Sequence, residues 1–251
     1  MHWTKSSRLS CLFPLSSSLI HSLLLSYSIL YPCLLVQLIL VLGDFHIPHR
    51  SENIPDAFKS LLQQKVSQVL CTGNLCMKST EDFVRSLGYN AHIVKGDLDA
   101  GLELPESKVI KVGELVIGLI HGHQIVPWGD SAMLANHARS MGVDILVHGH
   151  THALEVLRSE GSSTSSKSAS VAAASPTAAS PSAAGAATSF GSTLLLNPGS
   201  ITGAYSPFTT SVSPSFCLLA IQGPNVTVYQ YELLAAGAEV TVTKTEWSKT
   251  K

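Results

Sequence analysis

Residues Ile145–His152, ILVHGHTH, decide how the rest of the chain is read. The apolar run reads as a buried strand, and Gly149 lets the backbone turn sharply where that strand ends. Two histidines follow at i and i+2, His150 and His152. Neutral imidazoles are directional nitrogen donors, so such a pair suits a metal ion. A solvated turn that happens to carry histidines has the same local pattern, and the other strand ends must discriminate.

Outward from this stretch, Leu38–Leu42 is an apolar run ending in Gly43-Asp44-Phe45-His46. Val66–Thr72 ends in Gly73-Asn74, His92–Val94 in Lys95-Gly96-Asp97-Leu98-Asp99, and Leu115–Ile120 in His121-Gly122-His123. Val109–Val112 pairs with Leu115–Ile120 as a hairpin around Gly113-Glu114, and Asp144–Val147 leads into the opening motif. Ile54–Gln64, Ser79–Leu87 and Ser131–Met141 carry helical spacing, with Pro55 in the first turn of one and Gly142 closing another. Strands alternating with helices make the front half an α/β layer architecture. Gly, Asn and Asp are ordinary turn formers. Five successive strand ends that each offer an N or O donor nevertheless point to one shared metal site, at the edge where open α/β sheets bind ligands.

The back half reads as mainly antiparallel β. Ala153–Leu157 and Thr193–Leu196 are hairpin partners, Ser215–Ile221 and Val226–Leu233 alternate around Gly223-Pro224-Asn225, and Glu239–Glu246 is a last strand. Within it, 27 of the 30 residues of Gly161–Phe190 are Ser, Ala, Thr, Gly or Pro, too little apolar surface to offset ordering. The expected organisation is one domain formed by residues 38–160 and 191–247, interrupted by a disordered insertion at 161–190. Loop closure costs stability only slowly with length, so the fold tolerates it. Residues 1–37 form an apolar Ser/Leu-rich extension behind Lys5 and Arg8, readable as a leader, a membrane anchor or a segment foreign to the domain.

Composition narrows the classes. Only 13% of the 251 residues are charged, 16 basic against 17 acidic, so nothing resembles a nucleic-acid footprint. Eleven histidines are many, and most lie between His46 and His152. Five cysteines, with Cys71 and Cys76 spaced C-x4-C and no second pair, fit neither a zinc knuckle nor a disulfide framework, and a reducing compartment suits them better.

Taken in order, D-x-H (Asp44, His46), G-N (Asn74), G-D (Asp97), H-G-H (His121) and G-H-T-H (His150, His152) resemble the calcineurin-like metallophosphoesterase superfamily. The resemblance implies a two-sheet α/β sandwich flanked by helices. It also implies two divalent ions (Zn, Mn or Mg) held at the C-terminal strand ends by Asp44, His46, Asn74, Asp97, His121, His150 and His152. Such a centre clamps a phosphate between cations and generates a bound hydroxide. The longer motifs GDFHIPHR (43–50), CTGNLC (71–76), VKGDLD (94–99), GLIHGHQIVPWGD (118–130) and NPGSITGAY (197–205) narrow the likeness to the phosphoesterase-fold subunits of retromer. That family implies a cytoplasmic vacuolar protein sorting scaffold, peripheral on endosome membranes, in endosome-to-Golgi retrograde transport of cargo receptors. Its metal face docks on the large helical-solenoid subunit, vacuolar sorting protein 35. An apolar patch away from that face, matched by Val126, Leu218 and Tyr229, recruits regulators such as a Rab GTPase-activating protein.

Two departures separate scaffold from enzyme. Active relatives place a metal-bridging Asp where this chain has Asn74, and a proton-donating His where it has Leu98. General acid–base help is commonly worth about 10²–10⁴-fold, so its loss implies weak catalysis or none. Asp99 and His123 are the candidate substitute acids. The alternative reading is a working metal-dependent phosphodiesterase or phosphatase. Among the remaining residues, His49 reads as a surface loop residue, His123 as a structural partner, His148 as a packed neutral histidine, and Ser200 and Thr202 as turn caps.

Overall fold

A computed structural model describes residues 36–63, 66–159, 192–207, 211–234 and 239–249. In chain order its elements are β1 (Gln37–Leu42), α1 (Asp56–Leu61), β2 (Val66–Cys71), α2 (Lys78–Ser86), β3 (Gly88–Ile93), β4 (Ser107–Val112), β5 (Leu115–Ile120), α3 (Ser131–Met141), β6 (Ile145–Val147), β7 (Leu154–Ser159), β8 (Thr193–Pro198), β9 (Ser215–Gln222), β10 (Asn225–Leu233) and β11 (Val240–Ser248). The 1–37 extension, apart from its last two residues, and the 161–190 insertion lie outside the described residues. Among those described, no helix is long and apolar enough to cross a membrane.

Two mixed sheets result, ordered β11-β10-β9-β1-β2-β3 and β4-β5-β6-β8-β7. β1 is central because it is apolar on both faces. Ile39 and Val41 point between the sheets, into a layer that they share with Ile117, Leu119, Ile145, Val147, Leu194 and Leu196. Leu40 and Leu42 point the other way, packing with Phe58 of α1 and Val84 of α2. Alternate residues of a strand face opposite sides, so a strand covered on both sides reads as one unbroken apolar run. On the far side, Leu146 and Leu195 pack with Leu134, Ala135 and Ala138 of α3. The described residues are thus layered helix, sheet, sheet, helix. β1–β2–β3 are parallel, as are β5–β6–β8, which brings their C-terminal ends to one edge.

α3 matches its expected bounds because both caps are local. Asp130 accepts the Met133 N–H at 2.8 Å, and Gly142 closes the helix in the left-handed conformation with φ 66°. α1 is shorter than the expected Ile54–Gln64, since a residue before proline is kept out of the helical region and Pro55 becomes the cap. The hairpin flanking the insertion forms as expected, Ser159 pairing with Thr193. The described cysteines Cys71, Cys76 and Cys217 are free.

Candidate metal centre

At the shared strand edge, Asp44, His46, Asn74, Cys76, His150 and His152 all have positive φ, between 50° and 72°. Asp, Asn and His enter this region more readily than most residues. The D-x-H, G-N and H-x-H loops use it to aim side chains back across the strand ends. Glycines allow the close approach: a Cβ on Gly149 would come within 2.7 Å of Asp44 Oδ2 and of Thr72 Oγ1, and one on Gly96 within 2.3 Å of Asn74 Oδ1.

Six of the seven expected ligands gather into two triads, Asp44–His46–His152 and Asp97–His121–His150, each with one donor atom per residue and all three within 4.8 Å of one another. In the first, His46 Nε2 and His152 Nε2 are 3.0 Å apart, with Asp44 Oδ1 3.9 and 3.7 Å from them. In the second, Asp97 Oδ1 lies 3.0 Å from His121 Nε2 and 3.8 Å from His150 Nδ1. Asp44 Oδ1 also comes within 3.9 Å of His121 Nδ1, so the triads adjoin.

The surrounding backbone sets the tautomers. His152 Nδ1 donates to the Ala204 carbonyl at 2.6 Å and His121 Nδ1 to the Thr72 carbonyl at 2.8 Å, so both rings turn Nε2 inward. The His150 backbone N–H holds Asp44 Oδ2 at 3.0 Å, leaving Oδ1 facing the triads. Burial lowers the His46 pKa to about 4, against the pull of Asp44, and keeps that ring neutral. For His121 burial also opposes protonation, but the Asp97 hydrogen bond and the Asp44 charge outweigh it and raise the pKa. The hydrogen bonds from His121, His150 and Asn74 hold Asp97 well below the usual carboxylate range. Converging imidazole nitrogens and two carboxylate oxygens, with the outer nitrogens of His121 and His152 tied to carbonyls, are a donor set suited to a divalent ion.

Asn74, the seventh expected ligand, is held with its amide nitrogen inward. Its Oδ1 accepts the Leu98 backbone N–H at 3.0 Å, and its amide nitrogen faces the triads. Asp99 is no free acid. It is 1% exposed, and its carboxylate accepts the backbone N–H groups of Asn74 at 2.7 Å, Gly96 at 2.9 Å and Cys76 at 2.8 Å. It clamps two ligand loops together. Burial lowers the His123 pKa, which disfavours its imidazolium form. Leu98 is 40% exposed beside the centre.

His148 is buried and its pKa falls to about 4 through desolvation, as a packed neutral histidine requires. His49 is exposed and His92 half-buried on β3. Ser200 and Thr202 do more than cap their own turn. Their hydroxyls donate to the Asp44 and Phe45 carbonyls at 2.7 and 2.8 Å, bracing the D-x-H loop from far downstream in the chain. Leu218 and Tyr229 are cross-strand partners on β9 and β10. Val126, 67% exposed, lies two residues from Trp128, whose ring meets the His150 ring edge-on with centroids 4.6 Å apart. The loop that carries Val126 and Trp128 begins directly at His121-Gly122-His123.

Residues 38–223 match the model of the calcineurin-like phosphoesterase superfamily domain. The chain is 31% identical over 220 residues to vacuolar protein sorting-associated protein 29 of Schizosaccharomyces pombe, covering 85% of this chain and 99% of that one. The chain belongs to the vacuolar protein sorting-associated protein 29 family. Among solved structures, that of Vacuolar Protein Sorting 29 from Cryptosporidium parvum is 34% identical with a TM-score of 0.70, over 85% of this chain and 99% of that one. Wild-type Vps29 of Entamoeba histolytica complexed with Zn²⁺ is 41% identical with a TM-score of 0.67, over 84% and 99%. The two-sheet phosphoesterase fold read from the strand-end motifs is the fold of this family.

Proposed function

We propose that this chain is a retromer subunit acting as a non-catalytic or weakly catalytic scaffold, peripheral on endosome membranes in the cytoplasm. It serves endosome-to-Golgi retrograde transport of cargo receptors by docking its metal face on the large helical-solenoid subunit, vacuolar sorting protein 35. The observation that carries this reading is a pair of three-donor cation sites with an exposed apolar rim and the apolar Leu98 beside them. Leu98 stands where an acid is needed, Asp99 is consumed by backbone N–H groups, and Val126 and Trp128 are 67% and 43% exposed. Asp44, His46 and His152 would hold one divalent ion, and Asp97, His121 and His150 a second. The ions would supply positive charge and fix the loops that carry the rim. Leu218 and Tyr229, on the opposite face of the first sheet from the inter-sheet core, form the separate apolar surface for a Rab GTPase-activating protein.

The test is capture of the purified solenoid subunit by the purified full chain, alongside Mn²⁺- or Zn²⁺-dependent hydrolysis of a generic phosphodiester. The proposal expects stoichiometric capture and no hydrolysis above that of a His150→Ala variant. Failure of capture overturns it. Hydrolysis abolished by His150→Ala would establish the second reading, a working phosphodiesterase, which six well-placed donors favour.

A further inference from the structure

The Asn74 amide does more than replace a bridging carboxylate. A backbone N–H can only donate, so the Leu98 N–H 3.0 Å away fixes which side of the amide is oxygen. The NH₂ group is therefore committed to the centre. Its nitrogen lies 2.8 Å from Asp97 Oδ1, 3.1 Å from His121 Nε2, 3.4 Å from Asp44 Oδ1 and 3.4 Å from His46 Nε2. These four atoms come from both triads, and the two carboxylate oxygens among them accept its hydrogens.

We propose that the Asn74 NH₂ group is a built-in surrogate cation, so that a divalent ion enters only when the amide turns over and releases the Leu98 N–H. The inference rests on the metal reading of the two triads. An amide nitrogen in this orientation has no lone pair for a metal, and its two hydrogens face the charge they would have to share space with. Turning the amide presents Oδ1 to the ions but sets NH₂ against the Leu98 N–H, donor against donor. That bond breaks, and the Gly96–Asp99 loop gives way at Leu98. Ion occupancy is thereby coupled to an exposed apolar side chain on the rim. Asp99 does not relieve the conflict, because its carboxylate is already occupied by the neighbouring N–H groups of Asn74, Gly96 and Cys76.

An Asn74→Asp variant of the full chain tests this with stability and binding readouts independent of turnover. Aspartate keeps an oxygen for Leu98 and places a second one among the acceptors. In EDTA the variant should melt several degrees below the native chain, because three carboxylates then crowd one site. With Zn²⁺ alone as the probe, it should bind at least tenfold tighter by calorimetry and melt above the native chain. In the ¹⁵N-labelled native chain, the Leu98 backbone and Asn74 side-chain amide resonances should shift in step with Zn²⁺ binding. This measurement needs no variant to fold. Zn²⁺ binding that leaves the Leu98 amide unmoved, or native affinity in Asn74→Asp, would overturn the surrogate while leaving the metal reading intact. No Zn²⁺ binding by either chain would overturn both.

Discussion

The Asp99 carboxylate accepts the backbone N–H of Asn74 across 25 residues of sequence, at 2.7 Å and with 1% of the residue exposed. With the N–H groups of Gly96 and Cys76 on the same carboxylate, one side chain sets the spacing of the CTGNLC and VKGDLD loops. Hydrogen bonds to a buried charge are worth about 1.5–3 kcal/mol each, and removing the acceptor orphans its donors. Asp99→Ala should therefore lose about 3 kcal/mol of stability in urea denaturation and weaken Zn²⁺ binding. Asp99→Asn, which retains an acceptor oxygen, should recover part of both. A loss below about 1 kcal/mol in the alanine variant would contradict the clamp.

His148 should make stability fall with pH below neutrality. Its folded pKa is about 4 against 6.5 for the free side chain, because burial disfavours the imidazolium. Between those values the unfolded chain binds more protons, so stability is full above the unfolded pKa and declines as pH falls toward the folded one. The gap corresponds to about 3 kcal/mol. Denaturation curves from neutral pH down to the folded pKa should show a slope that flattens in His148→Gln. His121, with its raised pKa, works in the opposite sense, losing stability as pH rises through its folded value.

Chelation should destabilise the chain, and Zn²⁺ should restore it. An ion at about a hundred times its dissociation constant adds about 2.7 kcal/mol to the folded state. For a domain of this size that is about 5–10 °C in melting temperature. His152→Ala and His121→Ala, which damage different triads, should each reduce the gain. A melting temperature indifferent to both EDTA and Zn²⁺ would count against the centre as a cation site.

Two surface variants should behave independently. Val126→Asp, on the rim with Trp128, should abolish capture of the solenoid subunit while leaving a Rab GTPase-activating protein bound. Tyr229→Ala, paired with Leu218 on the first sheet, should do the reverse. Loss of both partners in either variant would mean that the two surfaces are one.

What the sequence discloses follows the range of the interactions. α3 is legible to the residue because Asp130 and Gly142 lie within four residues of the groups they satisfy. The six triad donors are legible because each sits in a short motif at a strand end, and parallel strands carry those ends to one edge. The orientation of Asn74, the clamp at Asp99 and the bracing by Ser200 and Thr202 are not legible. Each is fixed by a partner at least 23 residues away, whose approach no local pattern encodes.

The pairing of Ser159 with Thr193 sets where the chain leaves and re-enters the second sheet. β7 starts two residues after His152 and runs away from the centre for 6 residues, about 20 Å at strand rise. The chain leaves the second sheet at Ser159 and rejoins it at Thr193 on the adjacent strand. Whatever joins them therefore departs and returns at one doorway remote from the cation triads. A reporter placed between Ser159 and Thr193 should therefore leave Zn²⁺ binding at the triads unchanged.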